Sequence, residues 1–143
     1  MSTVPIDKRS SALSTILSRN QEEVLDEWLK EMNAATRRTD LKKDSDLRSE
    51  CAVFLQLMKE AVETGDTNFH SSNWDKVREM LSDVSRSRAQ QGFTPSETAT
   101  FIFSAKRPLF HQLRQVVGND ANALMAEMWT ATELLDAMGL YTT

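Results

Sequence analysis

Residues 84–97 read VSRSRAQQGFTPSE, and this stretch contains the end of one helix and the start of the next. Gly92 tolerates a positive φ angle, which a left-handed helix stop requires. Thr94, Pro95 and Glu97 have the spacing of a helix start: a capping hydroxyl, a proline at the first helical position and a carboxylate that bonds back to the cap. The stretch therefore predicts a tight helix–turn–helix corner.

Outward from this corner, apolar residues recur at helical spacing, and strand signals are nearly absent. The predicted helices run from about Ser10 to Ala34 with a bend near Asn20, from Ser45 or Asp46 to Gly65, from Asn73 to Gln91, from Pro95 to Val117, and from Ala121 to Met138. Pro108 lies inside the fourth helix and removes a backbone hydrogen bond, so we expect a kink between Ser104 and Lys106. The sequence predicts one all-α domain over residues 9–143, preceded by a flexible N-terminus at residues 1–8.

Composition excludes several classes of function. A net charge of -4 and a pI near 5.2 argue against nucleic-acid binding, which depends on Lys and Arg. No apolar run approaches the roughly 20 residues of a membrane span, and no signal peptide is evident, so we expect a cytoplasmic protein. His70 and His111 are far apart with no ligand spacing around them, and no nucleophile elbow or phosphate loop occurs. We expect neither a metal site nor catalysis.

Three residues on or near apolar stripes are candidates for a ligand pocket. Arg88 must pair or reach water, so it holds an anionic ligand or a carboxylate, or it is a cation at a helix C-terminus. Lys106 either lines a pocket or bonds carbonyls freed by the Pro108 kink. Cys51 is a small apolar core residue or, alternatively, a redox switch.

Four other residues are candidates for a dimer interface. Met125 and Trp129 lie off the core stripe of the last helix, where a second apolar patch indicates a partner surface or else the edge of the core. His111 projects away from the core stripe of its own helix, which favours a surface or dimer contact. Leu13, on the first predicted helix, is the fourth candidate for the dimer interface.

The corner and the run that follows it, RAQQGFTPSETATFIFSAKRPLF at residues 88–110, resemble the N-terminal domain of RsbR-type stressosome proteins, the RsbT co-antagonists. The resemblance extends from about Ser11 to Tyr141. It implies a globin-like fold of five to six helices without haem, which dimerises through its terminal helices. It also implies stressosome partners, namely proteins with STAS domains and a switch kinase that is released through a downstream STAS domain. This chain ends at Thr143, before any such domain.

The resemblance therefore implies a dimeric sensor domain that perceives a stress signal or relays it to a STAS domain. Two alternatives stay open, a haem-based gas sensor and a purely structural turret. Haem-binding sensor globins place their proximal His about four residues before a Gly, and counting back from Gly92 gives Arg88. A guanidinium does not bind haem iron, so haem would need His111 or His70 as its ligand.

Overall fold

The computed structural model describes residues 11–35 and 44–143, and within these ranges the chain is helical and has no strand. The predicted all-α, globin-like class is confirmed. The predicted flexible segment, residues 1–8, lies outside the described ranges. The α-helices are α1 (Ala12–Arg19), α2 (Gln21–Ala35), α3 (Asp44–Glu63), α4 (Asp75–Gln90), α5 (Pro95–Phe103), α6 (Lys106–Val117) and α7 (Ala121–Tyr141), with a short 3-10 helix at Ser72–Trp74 before α4.

Two of the predicted helices are interrupted where the sequence indicated. The first divides at Asn20, whose amide still donates to the Ile16 carbonyl at 2.8 Å while its side chain donates to Gln112 Oε1 at 2.8 Å. The fourth divides at Ser104 and Ala105, before Pro108, into α5 and α6. Asn20 and Pro108 thus account for the seven α-helices of the described ranges, where five periodic segments were expected.

The corner between α4 and α5 has the predicted geometry. Gly92 has a φ of 93°, and the Phe93 amide donates to the Arg88 carbonyl at 2.9 Å, which closes the end of α4. Thr94 and Glu97 form a complete capping box, with the Glu97 amide 3.1 Å from Thr94 Oγ1 and the Thr94 amide 2.8 Å from Glu97 Oε1. These local bonds fix the direction in which α5 leaves the corner.

The core is built mainly from large apolar side chains of all seven helices. α1 packs on α3 and α6, and α7 packs on both α5 and α6. The largest fully buried side chains are Trp28, Trp74, Phe54, Ile16, Leu17, Leu55, Met58, Leu81, Ile102, Leu109, Leu113 and Leu134. The Trp28 ring packs on Phe101 of α5, close to the corner, and Phe54 packs on Trp28.

Candidate functional site

A buried ion pair lies beside the corner. Arg88 on α4 is only 4% exposed, and its guanidinium pairs with the carboxylate of Glu50 on α3. The guanidinium carbon also lies 4.3 Å from the ring centroid of Phe101 and 5.2 Å from that of Phe93. A buried charge requires such a partner, and contact with aromatic faces adds to it. The carboxylate that Arg88 holds therefore belongs to the protein itself.

Phe101 also connects the arginine to a cluster of aromatic rings. Its ring stacks on Trp28 with 5.2 Å between centroids, and Trp28 lies 5.5 Å from Phe54. The Trp28 indole Nε1 donates to the Phe101 carbonyl and to Ser104 Oγ, both at 3.0 Å. The ion pair, the rings and the break between α5 and α6 therefore form one continuous set of contacts.

Sequence reasoning missed Glu50. A signal was present, because Glu50 directly precedes Cys51 and lies four positions before Phe54, so it borders the apolar stripe of α3. Cys51 itself is fully buried in the core. A carboxylate at the edge of one apolar stripe and an arginine on another are the pattern that would have suggested the pair.

Lys106 lies apart from Arg88 and Cys51. Its ammonium is 2.6 Å from Asp136 Oδ1 on α7 and 5.0 Å from the ring centroid of Phe103, and its side chain is partly exposed. The partner that the structure gives Lys106 is thus a carboxylate of α7, and its role in a pocket or at the kink stays a prediction.

Two open clefts on the surface are lined by other residues than those predicted for a pocket. One, of about 350 Å³, lies along α4, and the other, of about 500 Å³, lies at the α6–α7 corner. Their lining residues are Asp75, Arg78, Glu79, Ser82, Asp83, Arg86 and Tyr141 for the first, and His111, Arg114, Gln115, Gly118, Asn119 and Leu124 for the second. Neither cleft is lined by Arg88, Lys106 or Cys51.

The N-terminal half of α7 carries two of the three most exposed large apolar side chains of the described ranges, and the third is Leu140 near the end of the same helix. Met125 is 71% exposed and Trp129 is 67% exposed, and they lie one turn apart on one face. The 21 residues of α7 include three carboxylates and no Lys, Arg or His. A helix of this apolar composition is ordinarily enclosed. The Met125–Trp129 face is therefore an exposed apolar patch on a largely apolar helix.

The C-terminal end of α7 is held by α4 and by the connector at residues 64–74. Ser85 Oγ donates to the Thr142 carbonyl at 2.9 Å, and the Tyr141 ring meets the edge of Phe69 with 5.5 Å between centroids. Within the connector, the Asp66 carboxylate accepts hydrogen bonds from the Ser71 hydroxyl, the Asn68 amide and the Asn73 side chain. These bonds favour the ionised carboxylate and lower the pKa of Asp66.

The other two interface candidates differ in location. Leu13 is 2% exposed and packs inside the core, so its assignment to a dimer interface is corrected: this face of α1 is used by α3 and α6. His111 lies on the surface of α6, with Nδ1 3.1 Å from Glu27 Oε2 and Nε2 3.2 Å from Gln115 Nε2.

The two histidines do not fit a haem ligand in this arrangement. His70 is exposed in the connector, with its ring at the edge of Phe69, and His111 is exposed on α6. An axial ligand must face an apolar cavity that encloses the porphyrin. Among the residues of the described ranges, no group of three or more His, Cys, Asp or Glu side chains could hold a metal ion.

A protein-family model matches most of the chain. The model of the family described as "RsbT co-antagonist protein rsbRD N-terminal domain" matches residues 22–143. No curated protein and no solved structure is significantly similar to the chain. None of the helices described is both long and apolar enough to cross a membrane.

Proposed function

The chain belongs to the family of rsbRD N-terminal domains of RsbT co-antagonist proteins, and on that premise we propose that it is a dimeric signalling domain of an RsbR-type stressosome protein. In this proposal the domain perceives or relays a stress signal and passes it to a downstream STAS domain in the cytoplasm. It has no catalytic role.

The observation that carries the proposal is the Met125–Trp129 face. Two thirds of the Trp129 side chain is in water, so burial of its indole against a partner would contribute a large hydrophobic stabilisation. Tryptophan and methionine are also enriched at protein interfaces. A second copy of the chain would present the same face, which suits a two-fold symmetric contact.

The mechanism we propose is a change in packing between two copies of α7. The exposed half and the buried half belong to one continuous helix, Ala121–Tyr141, so a shift at Trp129 is carried along a stiff element. A ligand or partner favours one packing only by the difference in its affinity for the two. In this mechanism the signal is the shift between two packing arrangements of α7, and any ligand or partner that prefers one of them can produce it.

Analytical ultracentrifugation tests the dimer. We expect the wild-type chain to sediment as a dimer at micromolar concentration and Trp129→Glu to sediment as a monomer with unchanged helix content. Val53→Glu is the matched control, because Val53 is a half-exposed apolar residue on α3. A wild-type chain that is monomeric at high micromolar concentration contradicts the proposal. If Trp129→Glu and Val53→Glu dissociate the dimer equally, the dimer contact is not specific to the Met125–Trp129 face.

We propose further that the domain acts without haem. Arg88 is engaged by Glu50 at the position where the resemblance places a proximal ligand, and both histidines are on the surface. Absorbance spectra with added haem test this directly. A stoichiometric Soret band that is lost in His111→Ala or His70→Ala would make gas sensing the better function.

A purely structural turret is the remaining alternative. It predicts that no change in the interior alters signalling by the assembled stressosome as long as the domain folds. Arg88→Ala and Lys106→Ala, introduced into the full-length protein and compared for their effect on release of the switch kinase, distinguish the two functions. A folded Arg88 variant with altered kinase release rules out the structural turret.

A further inference from the structure

Between α5 and α6 the backbone has lost part of its helical pairing. In a continuous helix the Ala105 amide would donate to the Phe101 carbonyl, but here it donates to the Ile102 carbonyl at 3.0 Å. Pro108 has no amide hydrogen to donate to the Ser104 carbonyl. The two helices are therefore joined by fewer backbone bonds than an unbroken helix would have.

Side chains hold this joint instead. The Trp28 indole donates to the Phe101 carbonyl and to Ser104 Oγ, and Ser104 Oγ in turn donates to the Phe101 carbonyl at 2.8 Å. Trp28 is fully buried and belongs to α2, so a separate helix closes the joint. Loss of the indole would leave the Phe101 carbonyl with Ser104 Oγ as its donor and would remove both hydrogen bonds from α2 to the joint.

α7 rests against both sides of the joint. On the α5 side, the backbone of Gly139 lies so close to Phe103 that an added Cβ would be 2.2 Å from its ring. On the α6 side, Asp136 pairs with Lys106 at 2.6 Å. Phe103 is the last residue of α5 and Lys106 is the first of α6. A change in the angle between α5 and α6 must therefore displace α7 between these two contacts.

We propose that the α5–α6 joint is a hinge, that Trp28 is the latch that closes it, and that α7 follows its angle. The buried pair of Arg88 and Glu50 reaches the hinge through Phe101, whose ring contacts the guanidinium and whose carbonyl accepts from the latch. Events in the interior are thereby coupled to the helix that carries the Met125–Trp129 face. The coupling is a property of one chain and holds whether or not α7 pairs with a second copy.

Amide hydrogen exchange of the intact chain, followed by mass spectrometry, tests the hinge. Ser104→Ala removes one partner of the latch with little change in volume. We expect exchange to accelerate roughly three- to tenfold, the effect of one lost hydrogen bond, both at residues 106–110 and at residues 133–142 of α7. Exchange at residues 55–62 of α3 should keep its wild-type rate.

Trp28→Phe removes both indole bonds and should accelerate the same two segments more than Ser104→Ala does. Phe54→Leu is its matched control, because Phe54 is a buried ring beside Trp28 that donates no hydrogen bond to the joint. Phe54→Leu should accelerate amide exchange in α2 and α3, but it should accelerate exchange at residues 133–142 less than Trp28→Phe does. The hinge is refuted if Ser104→Ala leaves α7 at its wild-type rate, or if α3 accelerates equally. Ser104→Ala decides the question alone should Trp28→Phe fail to fold.

Discussion

The two halves of α7 are one helix in two environments. From Ala131 to Thr142 its inner positions are enclosed by α4, α5 and α6, whereas from Ala121 to Thr130 no position is fully buried. The apolar content does not fall to match, since Met125 and Trp129 are as hydrophobic as the Leu135 and Met138 of the enclosed half. Burial in the second half stabilises the fold, whereas the first half leaves the Met125 and Trp129 side chains in water.

The largest effect that separates the halves is expected from paired truncations of apolar side chains. Leu135→Ala should reduce the free energy of unfolding by about 2–5 kcal/mol, because it leaves a cavity at a fully buried position. Met125→Ala should change it by less than about 0.5 kcal/mol, since the side chain is already in water. Urea unfolding at a concentration where the chain is monomeric measures both. A comparable loss in Met125→Ala would show that the first half is also part of the monomer core.

The contact between Gly139 of α7 and the Phe103 ring of α5 provides the next contrast. Gly139→Ala should cost about 1–3 kcal/mol, because the new methyl group overlaps the Phe103 ring. Phe103→Leu in the same chain should restore part of the loss by making room. Ala126→Val, on the exposed half of α7, is the control and should cost only the small difference in helix propensity. Equal costs at the two positions would contradict the close packing.

The ion pair between Lys106 of α6 and Asp136 of α7 should have a smaller effect. Lys106 and Asp136 are both partly exposed, so their coupling in a double-mutant cycle of Lys106→Met and Asp136→Leu should be below about 1 kcal/mol. The coupling should decrease further in 1 M salt, where charges are screened within about 3 Å. A coupling that is large and independent of salt would mean that the pair is buried between α6 and α7.

The smallest expected effect is a dependence on pH at the connector that supports the end of α7. The pKa of Asp66 is lower in the fold, so its contribution to stability is complete above its ordinary pKa and is lost as the pH falls through the lowered value. Below about pH 4, Asp66→Asn should therefore lose less stability than the wild type does. Asp83→Asn, at an exposed position on α4, is the control. As the pH is lowered, the urea midpoint of Asp83→Asn should decrease in parallel with that of the wild type, whereas that of Asp66→Asn should decrease less.

Local signals in the sequence were sufficient for much of this architecture. The Gly92 stop and the cap at Thr94 depend on residues within a few positions of each other, so they were predicted with their geometry. Pro108 indicated the break before α6 for the same reason. The exposure of Met125 and Trp129 also followed from their angle on the helix, which periodicity alone determines.

Other features required the three-dimensional packing. Glu50 lies 38 positions before Arg88, and periodicity gives the face of a residue but not the neighbour that face will meet. The same limit applies to Lys106. Periodicity placed it on the inner face of its helix, but its ammonium pairs with Asp136 on α7 and its side chain is partly exposed. The Trp28 latch was missed because its acceptors are a carbonyl and a hydroxyl that only the break exposes. α4 and α7 also differ slightly from prediction: α4 begins after a 3-10 turn, and α7 continues to Tyr141.

The three tryptophans give the chain an intrinsic optical reporter. Trp28 and Trp74 are fully enclosed, and Trp129 is mostly in water. Only Trp129 should emit at long wavelength and be quenched by acrylamide, so its fluorescence can be separated from that of the other two without a label. A blue shift of this component would report that the Met125–Trp129 face has been covered, and the combined emission of Trp28 and Trp74 would report separately on the interior of the same molecule.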